Sequence, residues 1–291
     1  MSSAGGGVQR GSDLVRTLDV QPDGPGRYVG RPDPDADRAR RVVEGSQMLG
    51  QALVAAARQV PGRRPVSAWM GFLRVADTTS PLSFELDEQS NGRTFSGLAV
   101  RVRQGDRLCA TGNLLLDATA ADVIRHHAAA PDVAGPDLSE PYDLGVAGQE
   151  VRFVERVDLG DPLAPAGPPQ IDAWVRFHDV PDDPALHTAL LAQFTGNLSI
   201  AAALRPHRGY GQDDAHRTLS TAVNAIGFAL HAEVRADRWM LYHHRSTFAG
   251  DGMTHSECRV HDLGGDLLAS FSVDGMVRTR ERSGRDAAQV L

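Results

Sequence analysis

Two helices that are apolar almost all round, each accompanied by strand-like runs, set the tightest limit on how this chain can fold. The first, over residues 44–57, reads Glu44-Gly45-Ser46-Gln47-Met48-Leu49-Gly50-Gln51-Ala52-Leu53-Val54-Ala55-Ala56-Ala57. Its apolar side, Met48, Leu49, Ala52, Leu53 and Ala56, recurs with the 3.6-residue period of a helix. The second, over residues 186–204, sets Leu186, Leu190, Phe194 and Leu198 at intervals of four with alanines between. A helix without a polar face must be enclosed, and in each half the only available wrapper is a sheet. The predicted class is therefore α+β: two helices, each wrapped by an antiparallel sheet, with the sheets joined edge to edge where strand sets offer matching edges.

At 291 residues the chain is long enough for two units, each with its own core. The pattern predicts strands at 66–73, 82–87, 94–103 and 108–116, with turns at Ser90-Asn91-Gly92 and Gln104-Gly105-Asp106. A second set is predicted at 151–157, 171–178, 219–234, 239–246, 256–262 and 267–277, and a short strand at 14–20, before a turn-rich stretch over 21–37. Val60-Pro61-Gly62 ends the first helix, and Pro181-Asp182-Asp183-Pro184 starts the second. The expected organisation is a disordered tail over 1–12, a first unit over 13–117, a linker over 118–146 with one helical turn at 121–128, a second unit over 147–280, and a disordered tail over 281–291.

A formal charge of −7 argues against nucleic acid or an anionic membrane as partner, since both recruit basic surfaces. All 30 basic residues are arginine, which excludes lysine Schiff-base chemistry and a phosphate-loop lysine. No run approaches the roughly 20 apolar residues of a membrane helix, and the start of the chain lacks a signal pattern, so a cytoplasmic protein is expected. Cys109 and Cys258 have no paired spacing and read as reduced thiols. His243, His244, His255, Cys258 and His261 lie on strand-like runs whose alternation sends side chains to both faces, so neither metal nor cofactor is expected.

Several motifs carry a family resemblance. Gly45-Ser46-Gln47-Met48-Leu49-Gly50-Gln51-Ala52-Leu53 is similar to the G-G-Q-x-x-G-Q-A-L helix of the double-hotdog acyl-CoA thioesterase II family, Gly71-Phe72-Leu73-Arg74 to its Y-F-L-R strand, and Asn91-Gly92-Arg93-Thr94-Phe95 to its D-G-R-S-F turn. In the second half Ala203-Leu204-Arg205-Pro206-His207 resembles A-L-x-P-H and Asp237-Arg238-Trp239-Met240-Leu241-Tyr242 resembles D-E-W-L-L-Y. Leu268-Ala269-Ser270 and Asp274-Gly275-Met276-Val277-Arg278 resemble the closing L-V-A-S and E-G-x-x-R. The resemblance spans roughly residues 26–280. It implies a double hotdog that hydrolyses acyl-CoA to free acid and coenzyme A in lipid metabolism, and that forms a symmetric homo-oligomer.

The family orients a water against the thioester with an Asp, a Thr or Ser, and a Gln. By motif counting those positions fall here on Gly196, on Val223 or Ala222, and on Val273, so a non-standard site is expected. Candidate catalytic residues are Glu44 at the first helix start, Thr195 and Asn197 beside Gly196, and Asn224 beside Val223. Helix electrostatics alone also favour Glu44, and local hydrogen bonding also accounts for the other three. Gln47 and Gln193 face inward from the two helices; Trp69, Phe72, Leu198 and Phe228 are expected to line an acyl tunnel, and Arg93 and Arg101 to meet the coenzyme A phosphates. The alternative is a non-catalytic acyl-CoA or lipid-binding hotdog module, which fold alone does not distinguish.

Overall fold

The computed structural model describes residues 11–32, 41–146, 148–215 and 217–280. The expectations for 281–291, and for 1–10 of the first tail, lie outside the described residues. Among the described residues one 13-stranded antiparallel sheet forms, built in spatial order from β1 (Gln21–Pro22), β2 (Arg27–Gly30), β4 (Leu82–Asn91), β5 (Phe95–Gln104), β6 (Arg107–Asp117), β3 (Arg64–Phe72), β10 (Leu219–Leu230), β13 (Leu267–Thr279), β12 (Met253–Asp262), β11 (Met240–Gly250), β9 (Gln170–Phe177), β8 (Gln149–Phe153) and β7 (Glu140–Tyr142). The two halves meet edge to edge at β3 and β10, in a register running from Ala225 opposite Gly71 to Ala229 opposite Ser67. This is the double hotdog.

Local chemistry accounts for the strands. Along β5, Ser96, Leu98, Val100 and Val102 are buried while Phe95 and Arg101 are exposed, the alternation of a sheet covered on one face. Gly105 opens the two-residue hairpin between β5 and β6 with φ +58°, a conformation that costs glycine nothing. In β10 the register shifts between Val223 and Ala225, so the inward positions change from Thr221 and Val223 to Ile226, Phe228 and Leu230.

The long helix α2 (Gly45–Gln59) lies against β3, β4, β5, β6 and β10. The second helix departs from the continuous form that the sequence suggests. It consists of α3 (Pro184–Gln193), a 3-10 turn (Phe194–Gly196) and α4 (Ser199–Leu204). Leu198 between them has φ +65°. Glycine and asparagine at 196 and 197 hold a helix weakly, which lets the chain break there. Pro184 and the Asp183 carboxylate, which accepts the Ala185 N–H at 2.9 Å, start α3 as expected.

Other expectations are corrected. Residues 14–20 were expected as a strand, yet α1 (Gly11–Leu18) forms there, with Leu14, Val15 and Leu18 buried on one helical face against α2 and α3. Of the turn-rich stretch, 33–37 lie outside the described residues, and 21–32 contribute β1 and β2 to the sheet edge. Residues 121–128 form no helical turn. The segment around them instead runs as a strap over the outer face of the second half, where the Trp174 indole donates to Ala134 O at 2.8 Å and Val133 packs on Trp174, Trp239 and Leu241. Those three apolar side chains point away from the helices and need a cover of their own. No helix among the described residues is long and apolar enough to cross a membrane.

Candidate active site

α2 and the α3 region run antiparallel and touch closely at two places. At Gly50 an added Cβ would fall 2.9 Å from Ala189 O, and at Gly196 it would fall 2.6 Å from Ser46 Oγ. Ala189, Gln193 and Gly196 are spaced i, i+4, i+7, so the first two share the face turned to α2, and the 3-10 turn brings the third onto Ser46. The crossing is apolar except at one end, where Ser46, Gln47, Gln193 and Thr195 are all buried.

At that end polar groups exceed partners. Ser46 is 1% exposed and Gln193 5% exposed, and among the described residues neither Ser46 Oγ nor Gln193 Oε1 has a hydrogen-bond partner. Gln47 Nε2 donates to Arg31 O at 3.3 Å, and Gln51 Nε2 to Thr17 O at 2.7 Å and Arg31 O at 3.0 Å. The Thr195 hydroxyl is taken up by Ala192 O at 2.6 Å. Glu44 is the N-cap of α2 and its side chain makes no capping hydrogen bond to the helix, whose first internal bond runs from Met48 N–H to Glu44 O at 3.2 Å. The Phe72 ring closes over the helix start, 2.7 Å from where a Cβ on Gly45 would stand. The exposed Glu44, the α2 N-terminus, the Phe72 ring and the buried Ser46 hydroxyl thus stand together, with Gln193 three residues before Gly196 on the facing helix.

The structure brings Glu44, Gln47, Phe72, Thr195 and Gln193 to this end of the crossing; Leu198 is buried at the helix break, and Phe228 is buried on the inner face of β10. Asn197 sits at the break with its Nδ2 on Phe194 O at 3.5 Å. Asn224 is not brought to Asn197. Its Nδ2 reaches Met253 Sδ at 3.9 Å, and Met253 alternates with the inward Thr254 and Ser256, so Asn224 is turned to the outer face. Trp69 is likewise on the outer face, 50% exposed, because Ala68 and Met70 take the inward positions. Arg101 is outward too, with Nε 3.3 Å from a Glu85 oxygen, and Arg93 is exposed in the β4–β5 turn. The sheet therefore separates Trp69 and Arg101 from Phe72 and Phe228.

Sequence reasoning missed Ser46. The signal was present in the two helix motifs: a serine where the resembling motif has its second glycine, and a glycine at 196, form a size-complementary pair once the helices cross. Also missed was a buried polar group beneath α4. His244 Nδ1 lies 3.5 Å from Ser199 Oγ, the Ser256 hydroxyl donates to Ser199 O at 3.0 Å, and the Tyr242 hydroxyl donates to Leu191 O at 3.0 Å. Complete burial depresses the His244 pKa to about 3. At neutral pH it is a neutral ring that accepts a proton only at high cost, which unfits it as a general base for Ser199. Of the other histidines on these strands, His243 pairs with Asp172 at 2.5 Å and His255 with Asp274 at 2.7 Å on the outer side, and His261 Nε2 lies 3.2 Å from Ala128 O in the strap. A shallow cleft at the far end of α4, lined by Leu159, Leu204, Arg205, His207, Tyr210 and Gln212, holds none of the sequence-predicted site residues.

An acyl-CoA thioesterase N-terminal domain model matches residues 33–116, and an acyl-CoA thioesterase C-terminal domain model matches residues 120–272. The chain is 26% identical over 268 residues to acyl-coenzyme A thioesterase 8 of Rattus norvegicus, covering 82% of this chain and 81% of that one. It is 25% identical over 269 residues to acyl-CoA thioesterase 2 of Haemophilus influenzae, covering 84% and 91%. Its fold matches the crystal structure of acyl-CoA thioesterase II TesB2 from Mycobacterium marinum with a TM-score of 0.77 at 27% identity, covering 92% of this chain and 99% of that one.

Proposed function

This chain belongs to the acyl-CoA thioesterase II family, and from that premise we propose that it hydrolyses acyl-CoA to a free acid and coenzyme A by water attack, at a non-standard site where α2 begins. The observation that carries the proposal is the α2 N-terminus, to which its N-cap residue Glu44 makes no side-chain capping bond, beside the Phe72 ring. A thioester carbonyl oxygen placed there receives N–H hydrogen bonds and the positive end of the helix dipole, both of which strengthen as charge develops on that oxygen. Glu44 is the group suited to draw the proton from the attacking water. Residues 13–117 and 147–280 act as two hotdog halves of one cytoplasmic enzyme of lipid metabolism, joined through 118–146 and assembled into a symmetric homo-oligomer; a monomer at all concentrations in sedimentation velocity would refute that assembly.

The test is thioester hydrolysis and binding on the same panel, hexanoyl-, decanoyl- and palmitoyl-CoA. Glu44→Gln is expected to lower turnover about 10²-fold or more, within the usual range for a lost general base, with the circular dichroism spectrum unchanged. Asn197→Ala is expected to have a smaller effect, and Asn224→Ala none, since its side chain faces away from the helices. Binding of the panel by the wild-type chain without turnover would replace the proposal with a non-catalytic acyl-CoA-binding module.

A further inference from the structure

Two buried polar atoms on facing helices have no hydrogen-bond partner among the described residues: Ser46 Oγ and Gln193 Oε1. Each unsatisfied group costs about 1–3 kcal/mol, and natural structures pair nearly all such groups, so two at one helix crossing call for a reason. A valine or alanine at 46 and a leucine or methionine at 193 would suit the apolar crossing better. Gly196 contributes a third peculiarity. Its missing side chain makes room for Ser46 Oγ, and the helix opens just beyond it, with Leu198 held at φ +65° although it is 3% exposed. A non-glycine residue in that conformation is strained, and such strain gathers at functional sites.

We propose that Ser46 Oγ and Gln193 Oε1 together hold the water that attacks the thioester, which makes both catalytic residues of the reaction proposed above, on which this inference rests. Gln193 lies between the two contact points of the crossing, on the face that carries Ala189, and thus on the α2 side. A carboxamide oxygen only accepts and a hydroxyl both donates and accepts, so the pair fixes a water by two bonds and leaves a lone pair free for the carbonyl carbon. In the step itself the water oxygen bonds to that carbon, and the C–S bond breaks with its electron pair on sulfur. One water proton, drawn off by the nearby carboxylate, ends on the departing thiolate. Ser46 and Gln193 gain and lose no proton; their contribution is orientation.

The proposal predicts opposite signs for stability and activity. Ser46→Ala and Gln193→Met each remove an unpartnered buried atom at nearly constant volume, so the melting temperature should hold or rise, while kcat falls about 10-fold or more with KM unchanged. The measurement is a steady-state profile with decanoyl-CoA beside a thermal melt of the wild-type chain and both variants. Falling kcat with a maintained melting temperature supports the pair. Unchanged kcat in both variants, or a lowered melting temperature with unchanged kcat, overturns it while leaving the thioesterase reading intact. A wild-type chain that turns over no acyl-CoA overturns both readings.

Discussion

Replacing His244 with phenylalanine should flatten the acid side of the stability profile of this protein. His244 is fully enclosed among Tyr242, Phe271 and Ser199, and its Nε2 has no hydrogen-bond partner among the described residues. Burial lowers its pKa from 6.5 to about 3, so between those values the unfolded chain binds a proton that the folded chain refuses. The stabilising effect is thus whole above about pH 6.5 and is lost progressively as pH falls toward 3. Each unit of difference is worth 1.36 kcal/mol, so the loss from this ring alone is about 2 kcal/mol between pH 7 and 5, and roughly 5 kcal/mol over the whole window. His187, His231 and His261 are also lowered by burial and add to the same slope, which makes the difference between wild type and variant the informative quantity. Urea unfolding at pH 5, 6, 7 and 8, followed by tryptophan fluorescence, measures it. The carboxylates held below their usual range, Asp77, Glu150, Asp214 and Asp237, titrate below that series. The wild-type chain should lose about 2 kcal/mol more than His244→Phe between pH 7 and 5. Parallel profiles would refute the reasoning, because they would mean that the ring takes up its proton in the folded state as readily as in the unfolded one.

Two further outcomes follow from packing and charge. Gly196→Ala should destabilise the chain by about 1–3 kcal/mol, since the new Cβ falls 2.6 Å from Ser46 Oγ, and Gly196→Ala with Ser46→Gly should recover much of that loss in a double-mutant cycle of urea midpoints. Glu150→Gln should cost about 1–2 kcal/mol by the same measurement. Burial opposes the Glu150 charge, but its hydrogen bonds to Arg176 and Arg152 outweigh that and hold its pKa low, and both guanidinium groups stand over the Trp239 ring.

Period and punctuation made much of this fold legible. Met48, Leu49, Ala52, Leu53 and Ala56 named a helix that only a sheet can enclose, and the alternating strands supplied that sheet, because one-sided burial writes itself into sequence as a period. The same rule misled at 14–20, where Leu14, Val15 and Leu18 fit a short helix as well as a strand, and only contact with α2 and α3 selects the helix. The start of the first helix at Gly45 was legible from its motif, since backbone geometry at a helix terminus is local. Trp69 and Asn224 were not assignable in the same way: the face a strand residue occupies depends on register and on the shift between Val223 and Ala225. What tertiary structure alone decided is the crossing itself. Ser46 and Gly196 are 150 positions apart in sequence, and no periodicity relates a hydroxyl on one helix to a missing side chain on another until two apolar surfaces pack and exclude water between them.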